Sequence, residues 1–122
     1  MAKDFRLEEA VAALRREFAD GLPARLEVLR AALDALGGGV TPERLRAFHL
    51  PAHALQGTAA SYEAHELVPA VARLATLGRR WVEAGAAPGV ELAEATRELA
   101  GLQAAVERYR ERVAQERPRG SS

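Results

Sequence analysis

Thr41-Pro42-Glu43-Arg44-Leu45-Arg46-Ala47-Phe48-His49-Leu50-Pro51-Ala52-His53-Ala54-Leu55-Gln56-Gly57-Thr58-Ala59-Ala60-Ser61-Tyr62 is the stretch on which the fold turns. Leu45, Phe48, Ala52, Leu55, Ala59 and Tyr62 recur at steps of three and four, the spacing of one helix face. Thr41 offers a capping hydroxyl, and Pro42 follows in the first turn, where a missing N–H costs nothing. Pro51 falls inside the segment, so the reading predicts a kink just ahead of His53.

The same periodicity extends in both directions. Leu7, Val11, Leu14 and Phe18 form a first stripe, interrupted at Gly21 and Pro23. Leu22, Leu26, Leu29, Leu33 and Leu36 form a second, stopped by Gly37-Gly38-Gly39. Leu67, Val71, Leu74, Gly78 and Trp81 make the next, with Pro69 marking a helix start near Leu67. After Gly85-Ala86-Ala87-Pro88-Gly89, a final and longest stripe runs from Leu92 through Leu99 and Val106 to Val113. Nothing alternates with period two over a useful length. The expected fold is all-α: an antiparallel up-and-down four-helix bundle, with an extra short N-terminal helix capping one end. One domain is expected over residues 1–117, with a disordered tail at 118–122.

Composition agrees. The chain has 122 residues, enough for one domain with its own core. Aromatic residues are 5%, so the core must be built from Leu, Val and Ala. Cysteine is absent, which excludes disulfides, zinc thiolates and thiol nucleophiles. Seventeen basic residues balance seventeen acidic ones, so the field that attracts nucleic acid is missing. No apolar run approaches the ~20 residues of a membrane span, and Met1-Ala2-Lys3-Asp4 opens no signal-peptide core. The expectation is a soluble, cytoplasmic monomer that binds neither nucleic acid nor membrane.

The chemistry concentrates around His53. On a helix whose core face holds Ala52 and Leu55, His53 lies about 100° round, at the edge of the stripe or beyond it. An exposed imidazole is largely neutral at pH 7, and a neutral ring nitrogen is a competent nucleophile. Gly57 stands one turn on, directly above His53. A mid-helix glycine costs about 1 kcal/mol relative to alanine, a cost that is explained if a partner must approach closely. A helix–helix packing contact is the other reading of Gly57, and the favoured one for Gly78. Gln56 neighbours His53 and offers amide donors. His49, four residues earlier, flanks the same surface. His49 and His53, four apart, could share a metal with His65 as a third ligand, but no acidic residue stands three or four positions from His49 or His53 within that helix, and no metal is expected. Trp81 reads as a core anchor. Arg79 and Arg80 read as a solvated face or as the match for an acidic partner. There is no triad spacing, phosphate loop or paired-carboxylate signature, so no independent enzyme is expected.

From Ala52 to Tyr62 the chain resembles the motif of histidine-containing phosphotransfer domains: His, then Leu two residues later, Lys, Gly and small residues. Ala64-His65-Glu66-Leu67 resembles the start of the following helix in that family. Helix order and length extend the likeness loosely over Phe18 to Val113, though only about fifteen residues are of motif grade. The resemblance implies a helical bundle in which His53 accepts a phosphoryl group and exchanges it with an aspartate of a response-regulator receiver domain. It also implies that Gln56, Gly57, His49 and Ala60 support the phosphate or the partner. Partners would be a receiver domain or a histidine kinase. No cofactor is expected, any Mg²⁺ belonging to the receiver. Two positions depart: Gln56 replaces the usual lysine, and Glu63 stands where glycine is common. They motivate an alternative, a degenerate helical adaptor that binds a receiver or another signalling partner without being phosphorylated.

Overall fold

The computed structural model describes residues 2–116, with side chains from residue 6 onward; the expected disordered tail at 118–122 lies outside them. The described residues form four helices and no strand: α1 (Ala2–Gly37), α2 (Pro42–Ser61), α3 (Val68–Ala84) and α4 (Gly89–Gln115), with a 3₁₀ turn (His65–Leu67) leading into α3. None of them is long and apolar enough to cross a membrane.

The extra short N-terminal helix is not formed. A single helix runs through Gly21 and Pro23. Phe18, Leu22, Leu26, Leu29, Leu33 and Leu36 keep one helical phase across the expected break, and all are buried. Pro23 is exposed, and its missing N–H removes a single backbone bond, the one to Ala19 O. The merger makes α1, with 36 residues, longer than α4 with 27. The expected cap over the bundle end is also missing: Leu7, Val11 and Leu14 are 65%, 41% and 48% exposed. The α2 helix continues through Pro51 to Ser61.

The core is aliphatic with an aromatic cluster toward each end. Phe18 stacks on Tyr62 at 4.8 Å and meets Tyr109 edge-on at 5.9 Å. Phe48 packs on Trp81 at 5.2 Å. Along α1 and α4 the contacts run in opposite senses, Arg15 bonding Glu116 and Arg30 bonding Gln103.

Helix ends are fixed locally. The Thr41 hydroxyl accepts from the Arg44 N–H at 3.1 Å. At the far end of α2, Glu63 adopts a left-handed φ of 54°, a conformation that favours glycine. The Ala64 N–H donates to Ala59 O at 2.9 Å and the Glu63 N–H to Ala60 O at 3.2 Å. Two arginines hold the turn. Arg15 donates to the Glu63 carboxylate at 2.7 Å, and Arg112 donates to the Glu63 carbonyl at 3.0 Å.

Arg112 also makes a two-pronged bond to Glu66, at 2.7 and 3.0 Å. That guanidinium holds the Glu66 carboxyl below the usual carboxylate range. A lowered folded value stabilises the fold fully above the unfolded carboxylate range, and that stability is lost as pH falls on through the folded value. Glu66→Gln is expected to cost about 1 kcal/mol near neutral pH, the pair being partly exposed. The difference between variant and wild type should shrink as pH falls below the unfolded carboxylate range and vanish once pH is below the lowered folded value. Urea midpoints across that range measure it; a pH-independent gap would contradict the assignment.

Candidate functional site

Burial of Ala52, Leu55 and Ala59 turns the opposite side of α2 outward. His53 is exposed there, as are Leu50, Ala54, Gln56, Gly57 and Ala60. From Ala47 to Tyr62 the chain carries no Asp, Glu, Lys or Arg. His53 therefore sits in an uncharged helix face with Leu50, 60% exposed, one turn below it.

A Cβ built on Gly57 meets nothing within 4 Å. Gly57 is thus no helix–helix contact; it leaves the space above His53 open. Gly78 is the packing glycine. A Cβ there would lie 3.1 Å from the His49 Cα and 3.4 Å from its Nδ1. That close approach sets the register of α2 against α3.

The register builds a cleft of about 210 Å³ lined by His49, His53, Gln56, Ala75, Thr76 and Arg79. The two imidazoles stand 5.9 Å apart, tilted by 35°. His49 is half-buried, and its Nδ1 is buried with no hydrogen-bond partner. No carboxylate lines the cleft. Arg79 makes no ion pair or hydrogen bond among the described residues, whereas its neighbour Arg80 bonds Glu91 at 3.1 Å. The cleft therefore offers amide, hydroxyl, imidazole and guanidinium groups beside an exposed nucleophile, a setting suited to an anion.

Of the residues expected from sequence, His49, His53 and Gln56 share this cleft. Gly57 and Ala60 lie on the open face beyond it. His65 belongs to the 3₁₀ turn past the end of α2, and among the described residues no three metal-ligating side chains come together. Trp81 is a core residue, its indole N–H donating to Glu91 at 2.8 Å. The sequence pattern does not point to Thr76, and it reads Arg79 as a solvated face or the match for an acidic partner. Both come from another helix; Gly78, adjacent to Arg79, was the available clue. The Thr58 and Ser61 hydroxyls donate to their own helix, at Ala54 O and Gly57 O, over 2.7 and 3.2 Å.

Comparison of the chain with protein-family models, with curated proteins and with solved structures gives no match.

Proposed function

We propose that this chain is a phosphorelay intermediate of two-component signalling, an antiparallel up-and-down four-helix bundle that carries a phosphoryl group on His53. The observation that supports this best is the carboxylate-free cleft, in which an exposed His53 faces open space above Gly57 and the unpaired Arg79 stands by. The donor is an aspartyl phosphate of a cytoplasmic receiver domain. The lone pair of a neutral His53 ring nitrogen attacks phosphorus, the P–O bond to the aspartyl carboxyl breaks, and the carboxylate leaves. The reverse step returns the group. The chain supplies nucleophile, clearance and charge; the metal and most of the catalysis reside in the receiver.

Arg79 takes over the role for which Gln56 is unsuited. Gln56 can hydrogen-bond phosphate oxygens but cannot neutralise them, while a guanidinium does both. Arg79→Ala should lower the steady-state level of phosphorylation about tenfold, the worth of one charge-assisted bond, without changing stability. Arg79→Lys should recover part of it. Labelling with a phospho-receiver at fixed time and concentration measures both; an unchanged level in Arg79→Ala would remove Arg79 from the site.

The deciding experiment is transfer itself. The protein is incubated with labelled phospho-receiver or kinase, and the label on the chain is tested for stability. An acid-labile, base-stable label supports the proposal. No transfer from any cognate partner sinks it. The adaptor reading is favoured by Gln56 and Glu63. Receiver binding unchanged in His53→Ala, with no label, would establish it.

A further inference from the structure

Two imidazoles share the cleft, and their ring nitrogens are not equally free. His53 is exposed. His49 is half-buried, and its Nδ1 is shut away with no hydrogen-bond partner. The His49 Nε2 makes no hydrogen bond among the described residues either, but it is open to water. What closes off Nδ1 comes from α3. A Cβ built on Gly78 would lie 3.4 Å from that nitrogen, so a Gly78 Cα hydrogen points there. A neutral imidazole carries one proton, and its other nitrogen keeps a lone pair. A proton on Nδ1 would bury an N–H against a C–H, with no acceptor. Orphaned buried donors are rarer in folded proteins than under-satisfied acceptors, and a lone pair facing a Cα hydrogen is weakly attracted to it. The surroundings of Nδ1 therefore put the proton on Nε2, on a ring that lines the cleft.

We infer that His49 is a hydrogen-bond donor held in one tautomer, whose Nε2–H binds an oxygen of the phosphoryl group on His53, a role that rests on the phosphorelay reading. The two rings stand 5.9 Å apart between centres and do not bond each other, a gap that one phosphoryl oxygen can bridge. The same proton disqualifies His49 as the acceptor of the group. Its Nε2 lone pair is taken up by the N–H, and its Nδ1 lone pair is sealed from phosphorus. Two like side chains one helical turn apart thus divide the work: His53 attacks, and His49 holds an oxygen of what His53 receives. Arg79 meets the same group from α3. Gly78 serves both residues, standing next to Arg79 in sequence and fixing the His49 tautomer in space. A bond from His49 to an ionised oxygen is worth about tenfold in the extent of phosphorylation.

Phosphoramidate tests this on the full chain without a protein donor. A ring nitrogen attacks phosphorus, the P–N bond breaks and ammonia leaves. Mass spectrometry locates the label, with the exposed His65 in the turn beyond α2 as a reference inside the same molecule. Label is expected on His53 and none on His49. The ratio of label on His53 to label on His65 should fall about tenfold in His49→Phe, which keeps a ring and loses the donor. His49→Gln should restore it, because its amide nitrogen stands as many bonds from Cα as Nε2 does. His49→Asn should not, because its amide falls at the level of Nδ1. A long-range proton–nitrogen correlation spectrum of the unmodified chain in mildly alkaline buffer needs no variant, and it should show the His49 proton on Nε2. A proton on Nδ1, label on His49, a ratio unchanged in His49→Phe, or rescue by Asn equal to rescue by Gln would each overturn the inference. Absence of transfer from a phospho-receiver, with these results intact, would count against the relay and leave the donor role of His49 standing.

Discussion

His53→Gln is expected to reduce the label transferred from a phospho-receiver to background while leaving the melting temperature almost unchanged. His53 is exposed and makes no hydrogen bond among the described residues, so its removal should change stability by less than about 0.5 kcal/mol. Glutamine keeps a polar side chain of similar reach but has no lone pair basic enough to attack phosphorus. Two other imidazoles remain in the variant and serve as internal controls. His49 shares the cleft, yet it is half-buried against Gly78 with its Nδ1 closed off. His65 is exposed at the end of the bundle, away from the Gly57 clearance. Label persisting in His53→Gln would move the acceptor to one of these. A lost label with a collapsed fold would be uninformative about chemistry, and the melting curve guards against it.

Trp81→Ala should have the largest effect on stability, a loss of about 3–5 kcal/mol. That is a large share of the total for a domain of this size. Trp81 is 1% exposed, packs against Phe48, and donates its indole N–H to Glu91. Truncation leaves a void between α2, α3 and α4 and removes that bond. Because Trp81 lies three residues from Gly78, the void opens where α3 sets the position of His49. The variant should therefore also phosphorylate more slowly, as cleft geometry loosens. Trp81→Phe separates the terms: it keeps most of the apolar contact and loses only the hydrogen bond, at about 1 kcal/mol. Urea titration of both variants measures the difference, and equal losses would show that packing is not the main contribution.

The sequence carried the helices well because each buried stripe keeps a single phase. Leu22 to Leu36, Leu45 to Ala59, Leu67 to Trp81 and Leu92 to Val113 lie on helices as expected, with Tyr62 at the C-cap of α2 and Leu67 in the short 3₁₀ turn that leads into α3. The break at Gly21 and Pro23 failed for the same reason. Phe18 and Leu22 stand four apart and continue the phase, and the burial of six side chains along it outweighs one missing backbone bond. Leu7, Val11 and Leu14 show the opposite limit. Their spacing is that of a core stripe, and periodicity alone says nothing of whether a surface exists to receive it.

The site divides in the same way. His49, His53, Gln56 and Gly57 share one helix, so helical geometry alone relates them. Arg79 and Thr76 enter from α3, and their height against α2 depends on the contact between Gly78 and His49. That is a tertiary register, which no local pattern encodes. Glu63 is a mixed case. Its departure from glycine is visible in the sequence, but the left-handed turn it tolerates is held by Arg15 and Arg112 from two other helices.

The inward-turned hydroxyls of Thr58 and Ser61 bear on how a partner is captured. With those donors already spent on Ala54 and Gly57 carbonyls, the face above His53 holds its water loosely, and a docking surface can shed that hydration at little cost. Nor does any ionic group lie between Ala47 and Tyr62 to steer an encounter. Association through this face should be slow to respond to ionic strength, and the modest salt dependence that remains is the signature of Arg79 at its edge.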